Sequence, residues 1–559
     1  MKKSIQRLFL FIILFFNLVT LLPNHHVFGN FDQSYITVVI PFRGREYWSD
    51  INRIKPLFDY LVEQNIPSTI LLQYQNLNDR EVIDYIKRFP NNFEIGLFLE
   101  VDESLANDSF SSFLYGIGDK AHANQILLSG YNPVERKRMI DQAFFRFRQI
   151  FNTSPKSVGA WYLDTVSLNY LKIKYDIKAV LDVADQYQTD TYGLWGKPWG
   201  VAYLPSKYNS LLPAQNKQDN MGIVKIQWAA RDPLSGYGLT VNHSTYSVQA
   251  NDYVKAHRLD VDYFKHLSGI YLSSANSINQ LTIGLEAGQE GYTYLDEFKK
   301  QIAAVSWAEF VTMEDFAETF LQSPPKSSVI SGPGYLDNSR QGYWFNYPRY
   351  RAYFVREGET LIFKDLRIYD PPFFFNDVFY KQTGKNLNLI VPACLDGALT
   401  GKNLIIARNI RDLRFTRLKD RFFLEFVANN KKNQLLLTPD DIVFNSRRIF
   451  ISRGNFLINN FLIRNFYDLI LAIQTGRPDN LKITPLFSRI DNVYYFGLPF
   501  YPDKLLGIKS RWPFLGIFNF PFQVLSKFKT VDFDKFLFFY APDFINPAIN
   551  CQAVNRLSI

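Results

Sequence analysis

Cysteine and histidine are scarce in this 559-residue chain, with two of the former (Cys394 and Cys551) and six of the latter. Two cysteines allow at most one disulfide, which excludes a small fold stapled by several bridges. His25 and His26 lie near the N-terminus, and His122, His243, His257 and His266 show neither HxxxH nor HExxH spacing, so no histidine metal motif is present. There is no lysine/arginine run either. The 62 basic residues against 53 acidic ones give a net charge of +9 spread along the whole chain, which does not describe a nucleic-acid groove. Internal repeats are absent. Long apolar runs are limited to Leu8–Leu22, short of the ~20 residues that span a bilayer, while the later stretch NFLINNFLIRNFYDLILAI is broken by Asn, Arg and Asp.

What is present begins with Lys2, Lys3 and Arg7 ahead of that apolar run, followed by a polar stretch ending at Gly29. This is the order of a secretory signal, so residues 1–29 are expected to direct export. Left uncleaved, the same segment would tether the chain to a membrane. No cysteine follows the run to carry a lipid. With 47% hydrophobic residues, the remainder can build substantial cores. Oligomeric state is not legible.

From Tyr35 onward short apolar strands alternate with amphipathic stretches, the pattern of parallel β/α units. ITVVIPF, STILLQY, FEIGLFLEV, SVGAWY, IKAVLDV, IVKIQWAA, LTIGLEAG and EFVTM supply seven or eight strands up to about Gln322. That number predicts a (β/α)7–8 barrel over residues 30–322. Between the strands, Asn132 followed by Pro133 marks a helix start. The Ser/Pro/Gly-rich segment 323–334 reads as a linker. Residues 335–559, with short Phe/Tyr/Ile runs separated by turn residues, read as a mainly β, sandwich-like accessory domain.

The opening ITVVIPFRG, the following IPSTILLQ and then FEIGLFLEV resemble the polysaccharide deacetylase family of the glycoside hydrolase/deacetylase superfamily, as does SVGAWYLDTVSLNYLKIKYDIKAVLDV further on. The resemblance covers roughly Ile36 to Val183 and implies a barrel acting on carbohydrate. That family holds a divalent metal with an aspartate after the first strand and histidines after the third. Here Arg43 and Phe98 stand in those neighbourhoods, and Gly159-Ala160-Trp161-Tyr162 replaces the Arg-Pro-Pro-Tyr stretch. Neither metal nor cofactor is therefore expected.

Strand alternation selects candidate residues independently of any resemblance, because side chains two apart share a face. In LTIGLE the aliphatic face Leu281, Ile283 and Leu285 should meet the helices, turning Glu286 inward; in EIGLFLE, Ile95, Leu97 and Leu99 do the same for Glu100. The rule also turns Arg43, Gln73, Gln75 and Trp161 inward, mostly at strand C-termini, where barrel enzymes build their sites. Long loops on that side carry Asp164, Asp185, Trp228 and Arg231. Glu286, Glu100 and Asp164 are candidate catalytic carboxylates. Arg43, Gln73, Gln75, Trp161, Asp185, Trp228 and Arg231 are candidates for binding a sugar through amide, guanidinium and ring contacts. Each has a purely structural alternative: Glu286 or Glu100 paired with Arg43, Asp164 as a helix N-cap, Trp161 as core. The expected partner is a polysaccharide or oligosaccharide, with no nucleic acid. The leading expectation is an exported, secreted or cell-envelope-associated, metal-independent glycoside hydrolase-like protein acting on a cell-surface or extracellular polysaccharide, with a silent glycan-binding barrel and a divergent deacetylase as alternatives.

Overall fold

The structure is a computed structural model that describes residues 33–114, 122–369 and, apart from 382, 392, 394, 402 and 446, residues 381–450, with three further strand segments beyond. The export segment and both cysteines lie outside the described residues. Within them, no helix is long and apolar enough to cross a membrane.

The first half is built on β1 (Gln33–Phe42), β2 (Ser68–Gln73), β3 (Phe93–Phe98), β4 (Ser157–Gly159), β5 (Ala179–Val183), the hairpin strands β6 (Gln186–Thr189) and β7 (Tyr192–Trp195), then β8 (Val224–Trp228), β9 (Ile278–Ile283) and β10 (Glu309–Val311). Eight of these form one parallel sheet in which β1, β2, β3, β4, β5 and β8 follow each other, while β9 and β10 both pair with β1. The (β/α)7–8 barrel read from the sequence is thus not closed by hydrogen bonds: β8 and β9 lie beside each other, with Trp228 of β8 against Gly284 just past β9, and no ladder zips that seam.

Local chemistry sets the helix ends. The helix Pro133–Phe151 starts at Asn132, whose side chain accepts from the Val134 and Glu135 amides at 3.0 Å while Glu135 reaches back to the Asn132 amide at 2.9 Å, and it stops at Asn152 in the left-handed region (φ 57°). Strand alternation behaves as expected. Ile36, Val38, Ile40, Leu97, Leu281 and Ile283 join the helix-packed core, whereas Val39, Leu71, Phe98, Leu181 and Ile226 fill the interior. The end at the strand N-termini is plugged by the helix Met313–Gln322, which inserts Met313, Phe316 and Phe320 into that interior.

The second half begins earlier than composition suggests. Ser328–Pro333, expected in a linker, is β11, antiparallel to β12 (Arg340–Tyr347), which is followed by β13 (Tyr350–Glu357) and β14 (Thr360–Ile368). Small residues here permit close packing rather than flexibility: a Cβ on Gly332 would fall 2.4 Å from the Ile270 side chain of the helix Val261–Leu272. A second antiparallel sheet, formed by the strands between Arg411 and Phe450, buries a common core with the first, through Phe345, Phe354 and Phe363 on one and Phe422, Leu424 and Leu435 on the other.

The two halves interlock. Leu387–Ile390 adds in parallel to β7. The Trp199 ring, from the loop after β7, stacks on Trp344 of β12 at 4.1 Å and 4°.

Candidate functional site

Three side chains meet at the C-terminal end of the barrel. Arg43 leaves the end of β1, Glu100 follows β3 and Glu286 follows β9, all on the inward parity. Arg43 forms a two-pronged contact with Glu100, Nε to Oε2 at 2.7 Å and Nη2 to Oε1 at 2.5 Å, and its Nη1 donates to Glu286 Oε2 at 3.2 Å. One guanidinium thus joins both carboxylates, in the fork geometry that favours arginine. Glu100 is 1% exposed and Glu286 24%.

The backbone around Glu286 explains its placement. Gly284 has no alternative residue, since a Cβ there would lie 1.8 Å from the Val39 carbonyl oxygen and 3.1 Å from the Trp228 ring. Gly288, two residues beyond Glu286, adopts φ 117°, turning the chain into the helix that carries Glu290. Glu290 Oε2 accepts from the Glu286 amide at 3.0 Å and its Oε1 from Asn251 at 2.5 Å.

Electrostatics separate these acids. Burial pushes Glu100 up to about 7 against the pull of Arg43. Burial, reinforced by the Glu286 charge, holds the Glu290 carboxyl well above the ordinary range. Tyr47 lies over Arg43, its ring centroid 3.5 Å from the guanidinium carbon, and burial raises its phenol. On the rim, exposed Glu46 accepts from Gln75 Nε2 at 2.8 Å.

Gln73 and Gln75 shape this rim: Gln73 accepts from the Gly44 amide at 2.8 Å, fixing the turn after Arg43. Trp161 is 4% exposed, edge-on to Phe98 at 5.0 Å and 6.0 Å from the Arg43 guanidinium; Trp228 stands behind it at 6.2 Å inside the barrel. Both are walls of the site more than open platforms.

Three candidates do not join the cluster. Asp164 is fully buried, N-capping the helix Thr165–Tyr175 through the Val166 and Ser167 amides and pairing with buried Arg136 at 2.9 Å. Asp185 accepts from the Gly196 amide at 3.0 Å and pairs with Arg351 of β13. Arg231 commits every guanidinium nitrogen, to the Asp185 and Ser244 carbonyls, Gln186 and Asp252. Loop position alone does not tell a mouth-facing charge from one turned into the packing.

Glu46, Tyr47 and Glu290 were not among the sequence candidates. Tyr47 and Glu290 each lie four residues after a candidate, but Arg43 and Glu286 follow strand ends outside any helix, so no helical spacing marks them in the sequence.

The set does not fit a metal. A permanently charged guanidinium lies between the two carboxylates, and among the described residues no group of three His, Cys, Asp or Glu is arranged to hold one.

A protein-family model described as "Domain of Unknown Function with solved-structure structure (DUF3863)" matches residues 81–330. No curated protein is matched. Among solved structures, a protein from Parabacteroides distasonis provisionally assigned as a glycoside hydrolase/deacetylase superposes with a TM-score of 0.51 at 18% identity, over 64% of this chain and 91% of its own. The chain shares the fold of that protein over the stretch matched. A provisionally assigned polysaccharide deacetylase from Mycobacterium smegmatis (TM-score 0.31, 12% identity, 52% of this chain and 91% of its own) and a peptidoglycan deacetylase from Bacillus subtilis (0.26, 11%, 52% and 93%) also match, at a level that adds nothing to the fold assignment.

Proposed function

We propose that this chain is an exported carbohydrate-active protein whose barrel mouth hydrolyses a glycosidic bond in a cell-surface or extracellular polysaccharide without a metal. The observation that carries the reading is the bridging of Glu100 and Glu286 by Arg43 at the strand C-termini. Glycoside hydrolysis asks for two carboxyl groups with different proton affinities flanking the scissile bond. Glu100, buried and raised to about 7, supplies a carboxyl that holds its proton near neutral pH, and Glu286 is the one of the pair that stands toward solvent. Of the two contacts to Arg43, that of Glu286 is the longer, and substrate entering the mouth would displace it first. In the step proposed, Glu100 gives its proton to the leaving glycosidic oxygen as the C–O bond breaks, and Glu286, freed of Arg43, activates the attacking water or attacks the anomeric carbon itself.

Reducing-end release from a panel of polysaccharides tests this. Activity in the metal-free protein that disappears in Glu286→Gln supports it, and activity restored only by a divalent metal overturns it. One observation favours a second reading, a glycan-binding barrel without turnover: both Glu100 oxygens are occupied by Arg43 and the residue is almost wholly buried. Saturable glycan binding with no bond cleavage across the panel would select that reading. Export through Lys2, Lys3 and Arg7 belongs to the same proposal and is checked by fractionating cells for the processed chain.

A further inference from the structure

A cavity of about 590 Å³ opens at the other end of the molecule, between the loop 198–220, the first residues of β9, the end of the plugging helix and the strands β11 and β12. It sits beside the unzipped seam and at the junction of the two halves, a place where binding sites concentrate, and its volume is that of a ligand pocket. Its lining contains no Asp, Glu or Arg.

The polar groups around it are specific. Lys217 and Lys326 are exposed at the rim and form no ion pair among the described residues. Asn216 and Asn220 use their carbonyl oxygens to bind the Asp219 amide at 2.9 Å and the Gly222 amide at 2.7 Å, which leaves their NH2 groups without a partner among the described residues. Deeper in, Gln280 is 9% exposed; its Nε2 is fixed by Thr37 and Thr282 at 2.9 and 2.8 Å, and its Oε1 accepts no bond from a described residue. Ile278, Ile330 and Phe320 make an apolar wall.

We propose that this cavity binds the end of an acidic oligosaccharide, one bearing carboxylate or sulfate groups. Free ammonium groups without a competing carboxylate select an anion. Fixed amide donors and a buried acceptor match sugar hydroxyls, and the apolar wall receives the C–H face of a pyranose ring. The site is separate from the mouth and would hold a polymer whose cleavage, on the reading above, takes place elsewhere on the protein.

Calorimetric titration of the full chain tests this with galacturonate, hyaluronan and chondroitin sulfate tetrasaccharides. At least one should bind at low salt and weaken as salt rises. For the galacturonate tetramer, the fully methyl-esterified form keeps the sugar and removes the charge, and should bind at least tenfold more weakly wherever the acid form binds. Sodium sulfate removes the sugar and should not compete at matched concentration. Lys217→Glu with Lys326→Glu should weaken binding at least tenfold, as should Ala202→Trp, which fills the cavity without changing charge; circular dichroism checks that both stay folded. The inference is overturned if none of the three saccharides binds, if sulfate alone competes, or if both folded variants bind as the wild type does. Should the folded cavity variants bind normally while Glu286→Gln loses binding, the ligand lies at the mouth, which defeats this inference and leaves the function proposed above intact.

Discussion

The mouth cluster and the charge network at the junction of the two halves use the same residue types and reach opposite states. At the mouth, Arg43 serves two carboxylates, one of them a quarter exposed, and burial lifts Glu100 toward neutrality. At the junction, Asp182 is held by buried Lys197 at 3.0 Å and by Lys225, and Arg351 and Arg367 are shared among Asp185, Asp365 and Asp396, all essentially without exposure. Burial opposes the charge on Asp182, but the two lysines outweigh it and lower its carboxyl below the usual range. Buried pairs of this kind fix geometry and are closed to a substrate, whereas the mouth keeps a carboxylate with one long hydrogen bond and a route to solvent. Counting charges in a loop cannot tell these states apart.

The most drastic way to break the contrast is to separate the halves. Residues 30–325 expressed alone should aggregate, because Arg351 would no longer neutralise Asp185 and the Trp199 face would lose Trp344. A soluble, cooperatively unfolding fragment in a denaturant titration would show that the junction is dispensable. Next in size, Asp182→Ala leaves two lysines buried without a counter-charge and should cost about 3–5 kcal/mol, read as a lowered denaturant midpoint.

Glu286→Gln is expected to do the reverse. Stability should stay close to wild type while turnover falls by at least ~10²-fold on any glycan the wild type cleaves. A stable variant with full turnover would assign Glu286 a structural role only.

The mildest test is a pH profile. Burial raises Glu100 to about 7 in the folded protein, above its ordinary value near 4.5. The folded state therefore binds more protons than the unfolded state between those values. Glu100's contribution is complete below about 4.5 and is lost as pH rises through about 7, a change on the order of 3 kcal/mol at most. Stability of wild type relative to Glu100→Gln should thus decline over that window and then level off; a flat difference would mean that Arg43 keeps Glu100 ionised throughout.

Alternation of side chains along Leu281–Glu286 and Ile95–Glu100 was legible in the sequence because a strand offers only two faces and aliphatic residues claim one of them. The same rule gave the inward direction of Arg43, Gln73 and Trp161 and, with the helix signal at Asn132-Pro133, the parallel β/α order. Three matters required the tertiary structure. Whether the sheet closes depends on β8 and β9 sharing a hydrogen-bond ladder, a register between segments some 50 residues apart that no local pattern encodes. Whether Ser328–Pro333 links or pairs depends on β12 and on Ile270 lying against Gly332. Whether an acid is free or neutralised depends on a partner far along the chain, as Arg351 is for Asp185 and Arg43 for Glu286. Local sequence fixes the direction of a side chain through backbone geometry, while its charge state and partners arise from burial and long-range contacts that exist only once the chain has folded.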